Sequence, residues 1–165
     1  MSNDLMDRLG VTAYAFRGYN VTNLGRSTEL LAHPAFGPVV ERYLKRASEI
    51  CADTVGRKVD LVGRVRRNEE TTLATYDEAI ALVVAVELAH LRLLEEFFDV
   101  AFERARMIYG YSLGELTAVC AAGVFDMERA LRVPLEVATD CVALAEGVTM
   151  GVLFPRGPLL YLAEV

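Results

Sequence analysis

Val11 to Phe16 reads Val-Thr-Ala-Tyr-Ala-Phe, a β-branched and aromatic run stopped by Arg17-Gly18. It predicts a first strand followed by a loop through Gly25. Pro38 then opens a helix to about Ala52, whose apolar positions Val39, Val40, Tyr43, Leu44, Ala47 and Ile50 recur at three- and four-residue spacing and make one buried stripe. Thr75-Tyr76-Asp77-Glu78 has the form of a capping box and starts a long helix to about Phe98. That helix is apolar nearly all round in its first half, which predicts a central position. Ala105 to Tyr109 reads as a short buried strand, and Glu115 to Ala122 as a helix closed by Gly123. Asp126 caps a last helix running to about Glu146, with Gly147 as its stop and Pro134 kinking it or breaking its first turns. Thr149 to Phe154 reads as another strand, followed by a Pro155-Arg156-Gly157-Pro158 turn and a further apolar run from Leu159 to Ala163. Strands alternating with helices predict an α/β domain, a three-layer arrangement around a mainly parallel sheet that stops short at the C-terminus.

Length and composition narrow the classes. The 165 residues are 53% apolar and 24% charged, which describes one globular domain with a real core. The longest apolar stretch, Ala79 to Leu94, is broken by Glu87, His90 and Arg92, so no membrane span is expected. Met1 to Asp7 is acidic and lacks a signal peptide's basic and apolar regions, which leads to the expectation of a cytoplasmic protein. Cys51, Cys120 and Cys141 have no paired spacing, and neither a metal cluster nor a disulfide framework is expected. A net charge of −6 argues against a general nucleic-acid binder. One segment departs from that balance: Arg57 to Arg67 carries five positive charges in eleven residues. It reads first as a solvated loop or helix end, and second as a contact for an acidic or phosphate-bearing ligand.

The chemistry concentrates in Gly110-Tyr111-Ser112-Leu113-Gly114, a G-x-S-x-G pattern between a predicted strand and a predicted helix. Such a turn presents a serine nucleophile, and Gly110 and Gly114 are needed where the bent backbone leaves no room for Cβ atoms. A serine hydroxyl also needs a base and donors for the oxyanion. The two histidines, His33 and His90, both precede Ser112, which removes the order Ser, acid, His of α/β hydrolases. Glu87 and His90 form a single Glu-x-x-His, a pattern that would need a second copy and further carboxylates to hold two metals.

Tyr111-Ser112-Leu113-Gly114-Glu115, with the following Leu116-Thr117-Ala118-Val119-Cys120-Ala121-Ala122-Gly123, resembles the "GHSLGE…AAG" segment of the malonyl-CoA:acyl-carrier-protein transacylase family. Phe16-Arg17-Gly18-Tyr19 stands at the place of that family's "FPGQG" loop, and Tyr76-Asp77-Glu78-Ala79 at that of its "TQPA" helix start. The resemblance implies ping-pong acyl transfer from acyl-coenzyme A through a serine ester to the thiol of an acyl carrier protein, with coenzyme A thioester as substrate and no bound cofactor or metal. It implies Ser112 as nucleophile and the backbone N–H groups of Leu113 and Tyr19 as oxyanion donors. Tyr111, Asp77 and Val137 then fall at positions of the substrate pocket. Val137 stands near the place of the family's carboxylate-binding arginine, so a neutral acyl group fits better than malonyl. The family's histidine base would follow the last residue here. Residues 1–147 correspond to the N-terminal part of the catalytic domain and 148–165 to the start of its small inserted subdomain. A sheet left with an open edge would favour homo-oligomers. Departures from the family pattern at Tyr19, Tyr111 and Asp77 motivate an alternative, a catalytically lapsed docking or scaffold module of a larger synthase.

Overall fold

The computed structural model describes residues 4–148. The chain runs α1 (Asp4–Arg8), β1 (Ala13–Phe16), α2 (Ser27–Ala32), α3 (Gly37–Val55), α4 (Leu61–Arg66), α5 (Tyr76–Phe98), β2 (Met107–Gly110), α6 (Gly114–Ala121), α7 (Met127–Glu136) and α8 (Ala138–Ala145), with single turns of 3₁₀-helix at Leu9–Val11, Leu73–Thr75 and Phe102–Arg104. β1 and β2 pair in parallel, Ala13 opposite Met107 through Phe16 opposite Gly110.

This overturns the expected three-layer, mainly parallel sheet: among the described residues the sheet has two strands, and helices build the core. The reason is visible in the burial. α5 is buried on nearly all sides from Glu78 to Val86, so it cannot be a covering layer and is itself the centre. α3 and α7 pack on it, with Leu44, Leu82 and Leu131 inaccessible to solvent. A helix apolar all round takes the place that a central strand would fill in a layered sheet. The two β runs are four residues each and bury one end only, at Phe16. The expected strand at Thr149–Phe154, the apolar run Leu159–Ala163 and all but the first residue of the expected subdomain at 148–165 lie outside the described residues.

Several element ends follow the sequence. Gly123 and Gly147 close α6 and α8 at φ +70° and +76°, a region that an L side chain adopts only at a cost, whereas α3 runs past its expected end near Ala52 to Val55, where Gly56 at φ +69° closes it. Asp126 caps α7 through its Oδ1, which accepts the Arg129 N–H at 2.8 Å. Pro134 lies inside α7, which ends two residues later, so the single last helix expected is two, broken at Val137. The start of α5 also differs from expectation. The Thr75 hydroxyl accepts the N–H of Thr72 and closes a capping box on the preceding 3₁₀ turn, while α5 has no side-chain cap.

Glu78, expected to cap, is instead drawn into an ion network with the basic segment. That segment forms the short helix α4, with the Asp60 carboxylate capping it through the Gly63 N–H at 2.8 Å. Arg64 is buried and its Nε donates to Glu78 Oε2 at 2.8 Å; Arg57 donates to Glu78 Oε1 at 2.8 Å and to Asp77 Oδ2 at 2.6 Å. Arg66 reaches Glu41 and Arg67 reaches Glu69. Most of the basic segment is therefore neutralised by carboxylates of the same chain. Burial alone would push the Glu78 carboxyl up, but hydrogen bonds from Arg57 and Arg64 outweigh it and hold the group below its ordinary value.

A carboxyl with a lowered folded pKa contributes stability above its unfolded pKa of about 4.3, and that contribution is lost as pH falls through the folded value. Glu78→Ala leaves the Arg64 guanidinium buried without its carboxylate and is expected to cost about 3 kcal/mol at pH 7, read by urea unfolding, with the gap between variant and wild type closing as pH falls below about 4.

Candidate active site

The site is made where the end of β1 meets the turn after β2. The Tyr111 N–H donates to the Phe16 carbonyl at 3.0 Å, extending the parallel ladder by one bond. The chain then folds back so sharply that a Cβ on Gly110 would stand 2.1 Å from the Gly114 carbonyl carbon and 2.2 Å from the Glu115 nitrogen. A Cβ on Gly114 would stand 2.3 Å from the Phe16 carbonyl oxygen. Both glycines are thus required by close backbone approach. Between them Ser112 adopts φ +54°, the left-handed conformation that costs a non-glycine residue roughly 1–2 kcal/mol. Its carbonyl accepts the Glu115 N–H at 3.0 Å and so opens α6. The motif therefore forms the strand–turn–helix elbow, with Tyr111 and Ser112 exposed at its tip and Leu113 buried beneath.

The loop after β1 covers one side of this elbow. A Cβ on Gly18 would stand 2.7 Å from the Tyr111 carbonyl oxygen, 2.8 Å from Ser112 Cβ and 3.4 Å from the Leu113 nitrogen. Gly18 is what lets the loop lie directly on Ser112, and Tyr19 is the next residue of that loop. Among the described residues neither the Leu113 nor the Tyr19 N–H has a hydrogen-bond acceptor. A developing oxyanion requires such unpaired donors beside the serine, and Leu113, next in the chain to exposed Ser112, offers one. The loop is held from behind: buried Asn23 accepts the Asn20 N–H at 2.9 Å and donates to Thr71 Oγ1 at 2.9 Å, and Glu70 accepts the Leu24 N–H at 3.2 Å. Arg17 donates to the Thr22 carbonyl and to Asn23 Oδ1, which turns its guanidinium into the loop.

Beneath the loop lies Glu87, the carboxylate that interrupts the apolar run of α5. Its Oε1 accepts the Arg17 N–H at 2.8 Å and its Oε2 accepts the hydroxyl of the fully buried Thr117 at 2.5 Å. Burial pushes its pKa up, against the hydrogen bonds from Thr117 and Arg17 that pull it down. These contacts, not a metal, occupy the Glu87 carboxylate, and among the described residues no group of His, Cys, Asp and Glu could hold a metal ion.

The other sequence-derived positions are distributed differently. The Tyr19 ring packs edge-on against Tyr76, centroids 5.2 Å apart, which links the loop to the start of α5. The Asp77 carboxylate turns to Arg57 and borders a cleft of about 490 Å³ whose lining, including Thr54, Tyr76, Leu135 and Ala138, contains no residue of the elbow. Val137 sits at the break between α7 and α8, 43% exposed. His33 Nδ1 accepts the N–H groups of Ala35 and Phe36, and its ring stacks on Phe36. His90 is exposed on α5. Both histidines line a largely apolar cavity of about 990 Å³ along β1, α2 and α5, whose lining also excludes the elbow. Among the described residues no side chain hydrogen-bonds the Ser112 hydroxyl. Burial pushes the Cys51 thiol to about 12 and the Cys120 thiol to about 11, so neither competes as a nucleophile near neutral pH.

No family model, curated protein or solved structure matches this chain. Among the described residues no helix is long and apolar enough to cross a membrane.

Gly18 and Glu87 are the site features that motif reading passes over. Gly18 enters the sequence reading only as part of the Phe16-Arg17-Gly18-Tyr19 loop and gains its role from its contact with Ser112, whereas a lone carboxylate inside an all-apolar helical stretch was a legible signal. Two variants test the elbow. Ser112→Gly relieves the left-handed strain and is expected to unfold about 1 kcal/mol harder than Ser112→Ala in urea. Gly114→Ala drives a methyl into the Phe16 carbonyl and is expected to lose about 3 kcal/mol.

Proposed function

We propose that the protein is an acyltransferase that loads an acyl group from coenzyme A onto Ser112 and passes it to the thiol of an acyl carrier protein. The observation that carries this reading is Ser112 at φ +54° with the Gly18 backbone against its Cβ and the unpaired Leu113 N–H next to it in the chain, the Tyr19 N–H following Gly18 as the second donor of the reading. Ser112 Oγ attacks the thioester carbonyl; the carbon–oxygen bond forms, the carbon–sulfur bond breaks, and the departing coenzyme A thiolate takes up the proton that the serine hydroxyl loses. The carrier thiol then attacks the ester carbonyl, its proton returning to Ser112 as the new thioester forms. The two N–H groups would hold the oxyanion in each half, a contribution of about 3 kcal/mol for one such donor. Among the described residues no side chain is hydrogen-bonded to the Ser112 hydroxyl to take that proton.

Acyl preference follows from what surrounds Ser112. With the Arg17 guanidinium already bonded to Thr22 and Asn23, a malonyl carboxylate would lack a bidentate cation and lose a few kcal/mol. A neutral acyl chain is the better substrate. Incubation with butyryl-coenzyme A or malonyl-coenzyme A, read by intact mass, is expected to load butyryl in preference, with the added mass on the peptide containing Ser112 and absent from Ser112→Ala. An adduct that survives in Ser112→Ala and is cleaved by neutral hydroxylamine would be a thioester on exposed Cys141 and would overturn the reading.

A second reading, a docking module of a larger synthase, is favoured by the absence of any hydrogen bond to the Ser112 hydroxyl among the described residues. On that reading Ser112→Ala leaves product yield in the host cell unchanged.

A further inference from the structure

We propose that Glu87 is the positioning residue of this site: its carboxylate clamps the loop after β1 to α6 and thereby sets where the Tyr19 N–H stands relative to Leu113 and Ser112. The proposal rests on the Ser112 reading above. Glu87 lies in a stretch of α5 where Ala79 to Val86, Ala89 and Leu91 are buried, a setting that a leucine would suit better than an acid. A carboxylate there is tolerable only if its oxygens are satisfied, and the two oxygens serve two different elements. Oε1 takes the backbone N–H of Arg17, at the point where β1 has ended and its ladder offers no further acceptor; Oε2 takes the hydroxyl of Thr117, inside α6.

The geometry makes these two bonds consequential. Arg17 immediately precedes Gly18, whose α-carbon lies against Ser112 Cβ and the Leu113 nitrogen. Thr117 lies one helical turn and a residue beyond Ser112, on the helix that the elbow opens. One carboxylate therefore spans the moving part of the oxyanion hole, the loop, and the fixed part, the elbow helix. The Tyr111 N–H holds the carbonyl end of the Phe16–Arg17 peptide group, Gly114 at the start of α6 packs against the Phe16 and Arg17 carbonyls, and Glu87 holds the N–H end of that same group. Without Glu87 the N–H end of that peptide group loses its acceptor while its carbonyl end stays tied, and Gly18 and Tyr19 follow the tilt that results.

The test uses the full chain and the rate at which a fluorophosphonate probe modifies Ser112, with the maximal rate separated from the half-saturating concentration. Glu87→Leu is expected to lower the maximal rate by about 100-fold, the scale of a misplacement of about 1 Å in a catalytic group, with the half-saturating concentration nearly unchanged. Thr117→Val, which keeps shape and removes one of the two bonds, is expected to lower it by about 10-fold. Glu87→Gln keeps an oxygen for Arg17 and an N–H for Thr117, and should recover a rate within about fivefold of wild type. If Glu87→Leu does not fold, as judged by circular dichroism, Thr117→Val and Glu87→Gln still decide. Wild-type rates in Glu87→Leu or Thr117→Val, or a Gln variant as slow as the other two, would overturn the clamp while leaving the nucleophile standing. A wild-type protein that the probe never modifies would overturn the Ser112 reading and the positioning role together.

Discussion

Everything at the candidate site depends on two backbones lying closer together than side chains allow. The carbonyl of Phe16 accepts the N–H of Tyr111, Gly114 rests on that same carbonyl, and Gly18 lies on the carbonyl of Tyr111 and the Cβ of Ser112. Three glycines remove the Cβ atoms that would separate the chains, and Ser112 takes up the remaining curvature as a left-handed residue. Strain of this kind persists only where the surroundings over-determine it. Here the parallel ladder of β1 and β2 fixes the turn from one side, and α6, held through Thr117 and Glu87, fixes it from the other.

The rest of the molecule serves as a rigid backing. α5 runs through the middle with apolar residues facing α3, α6, α7 and α8, and two acids among its polar exceptions are tied to specific neighbours. Glu78 takes Arg57 and Arg64 near the start of the helix; Glu87 takes Arg17 and Thr117 eleven positions from the start. Both are acids in a low-dielectric setting that hold their positions because every charge or donor nearby is paired with them. The same logic explains the basic segment. Its clustering admits an external anion only as a second reading after a solvated helix end, and α4 sits against Glu41, Glu69 and Glu78, which pair with Arg66, Arg67 and Arg64.

Motif reading and structure agree most closely where the determinant is local. The glycines at 110 and 114, the strand before them and the helix after them depend on a few consecutive residues, and a tight turn can be recognised from its glycine spacing alone. Helix ends at Gly123 and Gly147 and the cap at Asp126 belong to the same class, because each is a single-residue preference for a conformation or a hydrogen bond. The interruption of the last helix at Pro134 follows from a missing N–H and a ring that clashes with the preceding turn.

By itself, then, the sequence determined the elbow, the amphipathic stripe of α3, the caps and the stops, since these are set by spacing along the chain. What only the tertiary structure decided is which elements are central and which side chains meet. Whether an apolar run from Ala79 onward covers a sheet or replaces one depends on how many strands the remainder of the fold contributes, and two among the described residues leave α5 as the core. The turn of Asp77 toward Arg57, the approach of Gly18 to Ser112 and the bridge from Glu87 to Thr117 join residues 20, 94 and 30 positions apart. Contacts of that kind have no period and no local propensity, and are selected by the shape of the packed whole.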